Sequence, residues 1–348
     1  MHILLVLILI VFLPDTSYGA LQCLDDPGDA AQIAAARADI EATCGCFDFE
    51  RPGDYTRCSG GVVRDRVALS LLRSQCASTV RQIYARSICS RPPNRQKGPF
   101  VPCVTLSATG KVSCAVKPAR RCGYFGTFGD RCWGSITCLD GADTNGDLRI
   151  SGPGDTGSCT AGAFAFTDNG DGTIADASTG LQWEKKSDDG SLNDKDLCHP
   201  WAGLCSGDGE TFCTRDADCA LAGGTCDTAD CQVPAPSGMT VFEWIDQLNA
   251  TSFAGHNDWR LPTVSELSTL MRDIPGSPRI APVFESSCSS GCSVSSCSCT
   301  TSSPLSSYHT STSFSALDSW YVAFDLPDVG EGRKTDLYFS ARAVRDAP

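Results

Sequence analysis

The 22 cysteines constrain this chain more than any other feature of its sequence. They divide into even groups: 12 from Cys23 to Cys159, six from Cys198 to Cys231 and four from Cys288 to Cys299. This usage is typical of an oxidising compartment, where disulfides persist. We expect disulfides rather than structural metal sites, because histidines are few and no pair of C-x-x-C knuckles occurs. The pairing within each group stays open, but the two cysteines of a C-x-C pair should bridge to different partners.

The start of the chain indicates export. Residues 1–13 are apolar apart from His2, and Pro14 breaks the run before the small residues 17–20. The run is too short to span a bilayer, so residues 1–20 are predicted to be a secretory signal peptide. No later segment is apolar enough to span a membrane. We therefore expect a protein that is secreted, periplasmic or held at the cell surface.

The remaining length favours two domains. We predict a disulfide-rich, mainly helical domain over residues 21–150, a glycine-rich linker over 151–163 and a second domain over 164–346. In the first domain, helices are expected over Asp26–Cys44 with Asp29 as a cap, over Val62–Leu72, and around Val80 to Ile88 with an end at Pro92. Short strands and loops held by disulfides should follow.

The first domain also resembles a recurrent type of module. Residues 35–40, AARADI, lead to Cys44-Gly45-Cys46 and then to residues 55–58, YTRC. This arrangement resembles the cysteine-rich helical modules that recur in secreted proteins of Myxococcus-like bacteria. The resemblance implies no particular activity.

Charge is distributed unevenly along the chain. Residues 21–159 contain 17 basic and 14 acidic residues, whereas residues 160–348 contain 11 and 26. A polyanion-binding patch is predicted in the first half, formed by Arg66, Arg73, Arg81, Arg86, Arg91 and Arg95. Two alternatives stay open: solvated helix faces, or docking against the acidic half of the same chain. Nucleic acid is not expected as a partner, because aromatic residues are not interleaved with the basic ones.

One segment has the pattern of a calcium loop. Asp143, Asn145 and Asp147 occupy positions 1, 3 and 5, which supply oxygen ligands in such loops. Leu148 replaces the glycine of position 6, and Gly154 stands where position 12 needs a carboxylate. The alternative is an Asn-Gly turn in a linker. Calcium is the one cofactor that the sequence suggests.

In the second half, Asn-Gly and Asp-Gly turns over residues 168–173 separate alternating, strand-like segments. An amphipathic helix is predicted over Val241–Leu248. A second helix is predicted to begin after Thr263, with Glu266 completing a capping box, and to end near Met271. The segments around 308–313, 319–324 and 341–345 are predicted strands.

These segments together resemble a known family. The residues are DNGDGT at 168–173, TGLQW at 179–183, DWRLPTVSEL at 258–267 and the closing strands. Over about residues 164–345 the chain resembles the C-terminal domain family of the Legionella collagen-like adhesin. The resemblance implies the fold shared by C-type lectins and the formylglycine-generating enzyme. That is an α+β domain with a small, twisted, mainly antiparallel sheet and two helices.

No catalytic residues are predicted. The formylglycine-generating enzyme uses a reactive cysteine pair near its C-terminus, whereas no cysteine follows Cys299 here, and no Ser/His/Asp set is apparent. The calcium tripeptides of C-type lectins are also absent. Conspicuous residues are therefore predicted to be structural: Trp183, Asp258, Trp259, Arg260 and Glu266, and, in a disulfide-rich insertion over 198–231, Cys205, Cys213, Cys219, Cys226 and Cys231.

The sequence thus predicts an exported, non-enzymatic binding protein for adhesion or recognition of a cell-surface glycan or protein through the lectin-like half. The insertion 198–231 and the Cys/Ser-rich loop 286–305 would carry recognition, or else be neutral elaborations. The family resemblance implies sulfated glycosaminoglycan as a ligand, but an acidic half should repel a polyanion. The alternative function is a structural or assembly component of an extracellular complex, with the basic stretch docking on acidic surfaces.

Overall fold

The computed structural model describes residues 22–107, 109–122, 130–143, 147–149, 155–156, 158–159, 166–228, 235–236, 239–272, 277–301 and 307–347. The predicted signal peptide, Asn145 and Cys231 lie outside these residues. Helices and mostly antiparallel sheets occur together, so the predicted α+β class is confirmed. None of the helices in the described ranges combines the length and the hydropathy that crossing a membrane requires.

Three helices open the first half: α1 (Asp29–Thr43), α2 (Pro52–Ala68) and α3 (Ala77–Ala85). They bury a common core that includes Ile33 and Ile40 of α1, Val63 of α2 and Val80 of α3. Helical spacing of the apolar residues identified α1 and α3 correctly, because the buried side chains recur at that spacing.

The boundaries of these helices differ from the prediction. Helix α2 begins at Pro52, ten residues before the predicted start, because proline suits the first turn of a helix. Helix α3 ends at Ala85, well before Pro92. Asp29 is not a cap: it is the first residue of α1, and its buried carboxylate accepts the Leu24 N–H at 2.8 Å and pairs with Arg73.

A hairpin follows the helices, formed by β1 (Phe100–Leu106) and β2 (Val112–Pro118). Strand β3 (Asp130–Arg131) adds to β1 on its other edge, and helix α4 (Cys138–Ala142) packs on the hairpin. Strands bound by disulfides were predicted here, and the structure contains them.

Every described disulfide closes within one of the three cysteine groups. The pairs of the first group are Cys23–Cys76, Cys44–Cys58, Cys46–Cys89, Cys103–Cys122, Cys114–Cys138 and Cys132–Cys159. The other groups contain Cys205–Cys219, Cys213–Cys226, Cys288–Cys299 and Cys292–Cys297, and Cys198 is also disulfide-bonded. Both C-x-C pairs bridge to different partners, as expected. The crosslinks therefore stabilise local modules.

The second half is built from short strands around two helices. Its elements are β4 (Phe166–Asp168), β5 (Thr173–Asp176), β6 (Leu181–Glu184), β7 (Leu197–Pro200), β8 (Gly203–Cys205), β9 (Phe212–Cys213), β10 (Cys226–Asp227), β11 (Ala235–Pro236), α5 (Val241–Ala250), α6 (Val264–Ser268), β12 (Ser307–Ser313), β13 (Asp318–Ala323), β14 (Asp328–Arg333), β15 (Tyr338–Phe339) and β16 (Val344–Asp346). The sheet orders are β16-β6-β5-β4, β12-β13-β14, β11-β7-β15 and β10-β8-β9. The C-terminal strand thus closes the first sheet of this half.

Both helices of this half begin with a capping box. The Thr240 side chain accepts the N–H of Glu243 in α5, and Thr263 accepts that of Glu266 in α6. The capping box predicted at Thr263 is confirmed. Helix α6 is shorter than predicted, since it ends at Ser268 and Met271 forms an isolated bridge with Ile280.

One hydrophobic core joins the two halves. Trp133 and Val101 of the first half belong to the same buried cluster as Trp183, Trp320 and Val329 of the second. At the junction Gly134 has φ +79°, and an added Cβ would lie 2.6 Å from the Met271 carbonyl oxygen. The two halves therefore meet in close contact without any described disulfide between them.

Because Trp133 is only 4% exposed within this shared core, Trp133→Ala should destabilise both halves. We expect a loss of about 3–5 kcal/mol in unfolding free energy, from lost burial and the cavity left behind. Denaturant unfolding of the oxidised protein, followed by circular dichroism, would measure it. Leu106→Ala, at a 56% exposed site, should change little. Two separate transitions, of which only one shifts, would contradict a shared core.

Candidate functional site

Two arginines of the predicted basic patch form salt bridges with carboxylates of α1. Arg66 pairs with Asp39, and Arg73 pairs with the buried carboxylate of Asp29 at 2.8 Å. The Arg73 pair reaches a buried carboxylate and the Arg66 pair lies at the surface between α1 and α2, and each pair neutralises its arginine. Arg81, Arg86 and Arg95 form no salt bridge within the described residues. Two of the six arginines are thus engaged in salt bridges, and polyanion binding by the patch stays a prediction.

Other basic side chains contact the acidic half of the same chain. Arg120 pairs with Glu331, and its guanidinium lies 4.8 Å from the ring centroid of Trp320. Arg131 donates to Asp328 at 2.6 Å. These two side chains are not among the six arginines of the predicted patch, and they lie where the two halves meet.

Two of the predicted arginines line one groove. This groove, here called the basic groove, has a volume of about 510 Å³ and is lined by Pro52, Arg91, Pro92, Pro93, Asn94, Arg95, Gln96 and Phe100. The Arg91 Nε donates to the Ser87 carbonyl at 2.7 Å, and its guanidinium lies 5.6 Å from the Phe100 ring centroid. Arg91 is held in place by these contacts, while Arg95 is exposed.

A second cavity lies where α1 meets the sheet of β4, β5, β6 and β16. This acidic cleft has a volume of about 650 Å³, and its lining includes Glu41, Asp48, Asp176 and Asp346. Burial raises the pKa of Glu41, Asp48 and Asp176, and the charge of Asp346 adds to the effect at Asp48. Glu41 accepts from the Tyr84 hydroxyl, Asp176 from Thr179, and Asp346 from Arg260. Those three carboxylates are held within the protein's own hydrogen-bond network.

The predicted calcium loop is only partly described. Asp143 accepts the backbone N–H groups of Asp147 at 3.1 Å and Leu148 at 2.8 Å. Leu148 has φ +62°, the left-handed conformation that glycine at position 6 would adopt more readily. Asn145 lies outside the described residues, so calcium binding here stays a prediction.

The conspicuous residues of the family motif lie in a network beside β16. The Arg260 guanidinium donates to both oxygens of Glu266, at 2.9 and 2.8 Å. Arg345 of β16 donates to both oxygens of Asp258, at 2.7 and 3.1 Å. Trp183 and Trp259 are buried close by in two hydrophobic clusters. These contacts hold the C-terminal strand against the segment that precedes α6.

The second half also buries a lysine–glutamate pair and two histidines. Lys186 is 1% exposed and pairs with the fully buried Glu184 at 3.1 Å, and burial lowers the pKa of Lys186. His199 and His309 are also fully buried. Burial lowers the pKa of His309 to about 4, and burial followed by the nearby Lys186 lowers that of His199 well below its ordinary value. Both imidazoles are therefore neutral at physiological pH.

The insertion is a small disulfide-bonded module attached to α5. Thr240, the cap of α5, donates its hydroxyl to the Thr214 carbonyl, and Arg215 forms two hydrogen bonds with Asp246. Cys205, Cys213, Cys219 and Cys226 close the module in two pairs, while Cys231 lies outside the described residues. Phe212 is 41% exposed and Leu221 is fully exposed. A fixed module thus presents apolar side chains to solvent.

The Cys/Ser-rich loop is also fixed to the scaffold. The N–H of Asp188 donates to the Cys292 carbonyl and that of Gly291 to the Asp188 carbonyl, at 2.9 and 2.6 Å. The fully buried Arg342 donates to the Cys299 carbonyl at 2.7 Å. The described part of this loop, 286–301, is therefore ordered by its disulfides and by contacts with the buried core.

Sequence reasoning did not foresee the two cavities. In the basic groove it identified Arg91 and Arg95 but not Pro52 or Phe100, which come from distant elements. Pro92-Pro93 was interpreted only as the end of a helix. In the acidic cleft the carboxylates come from α1, β5, β16 and a loop, so no local sequence signal brings them together.

Comparison with known proteins identifies the second half. The family model for the Lcl C-terminal domain matches residues 172–345. This range contains the Arg260 and Arg345 networks, the insertion and the Cys/Ser-rich loop. No curated protein and no solved structure matches the chain. The predicted resemblance of the second half is confirmed.

Glu266 should be important for stability, because its carboxylate accepts hydrogen bonds from the Thr263 N–H in the capping box of α6 and from the Arg260 guanidinium. Glu266→Ala should lower the unfolding free energy by about 2 kcal/mol, through loss of the cap and of the buried acceptor. Glu266→Gln should lose less, since glutamine also serves in a capping box. Thermal and denaturant unfolding would measure both, with exposed Glu210→Ala as the control. A loss for Glu210→Ala equal to that for Glu266→Ala would refute this role.

The buried His309 predicts a pH dependence. Its folded pKa of about 4 lies below the ordinary 6.5, so the unfolded chain takes up a proton first as the pH falls. The stabilisation is complete above pH 6.5 and is lost as the pH drops towards 4, by about 3 kcal/mol in total. Relative to His309→Gln, the native protein should therefore lose this amount between pH 7 and pH 4 in denaturant titrations. Parallel pH profiles for the two proteins would contradict the prediction.

Proposed function

The chain belongs to the Lcl C-terminal domain family, and on that premise we propose that it is an exported, non-enzymatic adhesin-type protein that recognises a cell-surface partner through its second half. The ten disulfides among the described residues and the adhesin-type domain fit an extracellular or cell-surface location. The C-type-lectin-like fold of this half remains part of the proposal. We favour recognition over catalysis because the charged side chains around the core are paired in salt bridges with one another, as in Lys186 with Glu184 and Arg260 with Glu266.

The rigidity of the second half supports this function. Arg342, which is fully buried, donates to the carbonyls of Glu184 and Cys299, both at 2.7 Å. Trp183, Trp244 and Trp320 are also fully buried. Such packing holds the loops in one arrangement before a partner arrives, which reduces the entropy lost on binding.

The observation that carries the proposal is the exposed apolar surface of the insertion. Phe212 and Leu221 face solvent on a module whose position is fixed by Thr214 and Arg215. Burying such side chains would stabilise a complex, and aromatic side chains often dominate binding energy. We propose that these two residues contact the partner, which is a glycan or a protein on a cell surface.

The test is binding of the oxidised protein to arrays of bacterial and animal glycans and to intact cells, with and without calcium. Phe212→Ser together with Leu221→Ser should weaken binding at least 10-fold, because the contact area is lost. Leu69, which directly follows α2, is 68% exposed. Leu69→Ser is therefore the matched control and should change binding less than 2-fold. Equal effects of the insertion variant and the control would overturn the proposed surface.

The same preparation distinguishes the alternative function. Light scattering should show a monomer or small oligomer of constant size when salt is raised. Stable large multimers without affinity for cells or glycans would favour an assembly component and would contradict the adhesin proposal. Loss of binding on calcium chelation would place a functional metal site in the protein.

A further inference from the structure

We propose that the basic groove binds the carboxylate of an acidic sugar of the uronic acid type. The groove lies in the helical half, outside residues 172–345 that match the Lcl C-terminal domain. It is therefore a second binding site, and it does not depend on the surface proposed above for the insertion.

The first part of the argument is a cation that is already oriented. The Arg91 guanidinium donates through Nε to the Ser87 carbonyl at 2.7 Å and through Nη2 to the Ala85 carbonyl at 3.4 Å. It also lies over the ring of Phe100. These two hydrogen bonds and the ring contact fix the plane of the guanidinium. Its other N–H groups can still donate to a ligand. A planar guanidinium in a fixed position suits the planar carboxylate.

The second part is a cation that remains available. Arg95 lines the same groove and forms no ion pair with any described residue. It lies on a tight turn in which the N–H groups of Asn94 and Gly98 donate to each other's carbonyls, both at 3.0 Å. The turn places Arg95 at the groove that Arg91 also lines, and Arg95 stays exposed there. One fixed and one free guanidinium can thus bind the two oxygens of one carboxylate.

The walls of the groove indicate what carries that carboxylate. Pro52, Pro92, Pro93 and Phe100 form rigid apolar surfaces against which the C–H face of a sugar ring can pack. Asn94 and Gln96 supply amide groups, which can donate to and accept from hydroxyls. A volume of about 510 Å³ is of the size that small-ligand sites have. An acidic sugar combines all three features: a carboxylate, hydroxyls and an apolar ring face.

The fold argues against a long polyanion as the ligand. Such a ligand needs a row of free cations along the groove. Arg66, Arg73 and Arg120 are paired with Asp39, Asp29 and Glu331, and the unpaired Arg81 and Arg86 do not line the groove. Two cations, Arg91 and Arg95, line the groove. Binding of a ligand there should therefore weaken less with added salt than binding of a polyanion would. The groove therefore fits a single acidic sugar unit better than a densely sulfated chain.

The experiment is calorimetric titration of the oxidised full-length mature protein with a disaccharide that ends in glucuronic acid. Its methyl ester and the corresponding glucose disaccharide are the matched ligands. Binding should weaken at least 10-fold for both, because each lacks the carboxylate charge. Arg95→Gln should weaken glucuronate binding at least 10-fold, and Arg91→Lys should weaken it although the charge remains.

Arg81→Gln is the control variant, since Arg81 is exposed, unpaired in the described structure and outside the groove. It should change binding less than 2-fold. Equal binding of the acid and its ester, or equal effects of Arg95→Gln and Arg81→Gln, would overturn the proposal. So would binding confined to sulfated oligosaccharides or to acidic peptides. These outcomes are independent of cell binding through Phe212 and Leu221, which the groove variants should leave unchanged.

Discussion

The arrangement of the two halves depends on a hydrophobic core without covalent support. Trp133 and Val101 pack in one cluster with Trp183, Trp320 and Val329, whereas each described disulfide closes within its own cysteine group. Disulfides restrict the unfolded chain most within the loops that they close. They stabilise the modules here, and the burial of apolar side chains decides how the modules meet. The cavities and exposed surfaces follow from that packing.

Electrostatics acts at the same junction. The basic half and the acidic half meet through Arg120 with Glu331 and Arg131 with Asp328. In these pairs, positive charges of the first half are neutralised by negative charges of the second, so fewer free cations remain to bind a partner. At the acidic cleft the situation is reversed, because carboxylates from both halves face one cavity and burial raises the pKa of Glu41, Asp48 and Asp176. Like charges there oppose the close approach that the core favours.

In the second half, the contacts that stabilise the fold are distinct from the surface proposed for recognition. The networks of Arg260 with Glu266 and Arg345 with Asp258 hold β16 and α6 together, and the buried Arg342 ties the Cys/Ser-rich loop to β6. Residues that serve these contacts are not available to a ligand. Phe212 and Leu221 of the insertion are exposed and lie outside these networks, so under the proposed function they can vary in sequence without loss of the scaffold, as loops on a rigid fold do.

The disulfide-rich character, the α+β class, the three cysteine groups and the elements with local signals could all be predicted from the sequence. Helix α5 and the capping box of α6 follow from residues three or four positions apart, and the family motif follows from residues 168–183 and 258–267. Boundaries such as the start of α2 at Pro52 and the end of α3 at Ala85 were missed, because packing overrides weak helix propensity. Which arginines are neutralised and which line the basic groove could not be predicted, because both depend on the folded arrangement. Those properties depend on side chains distant in sequence, such as Asp29 with Arg73 or Pro52 with Phe100, whose proximity is set by the three-dimensional packing of the chain.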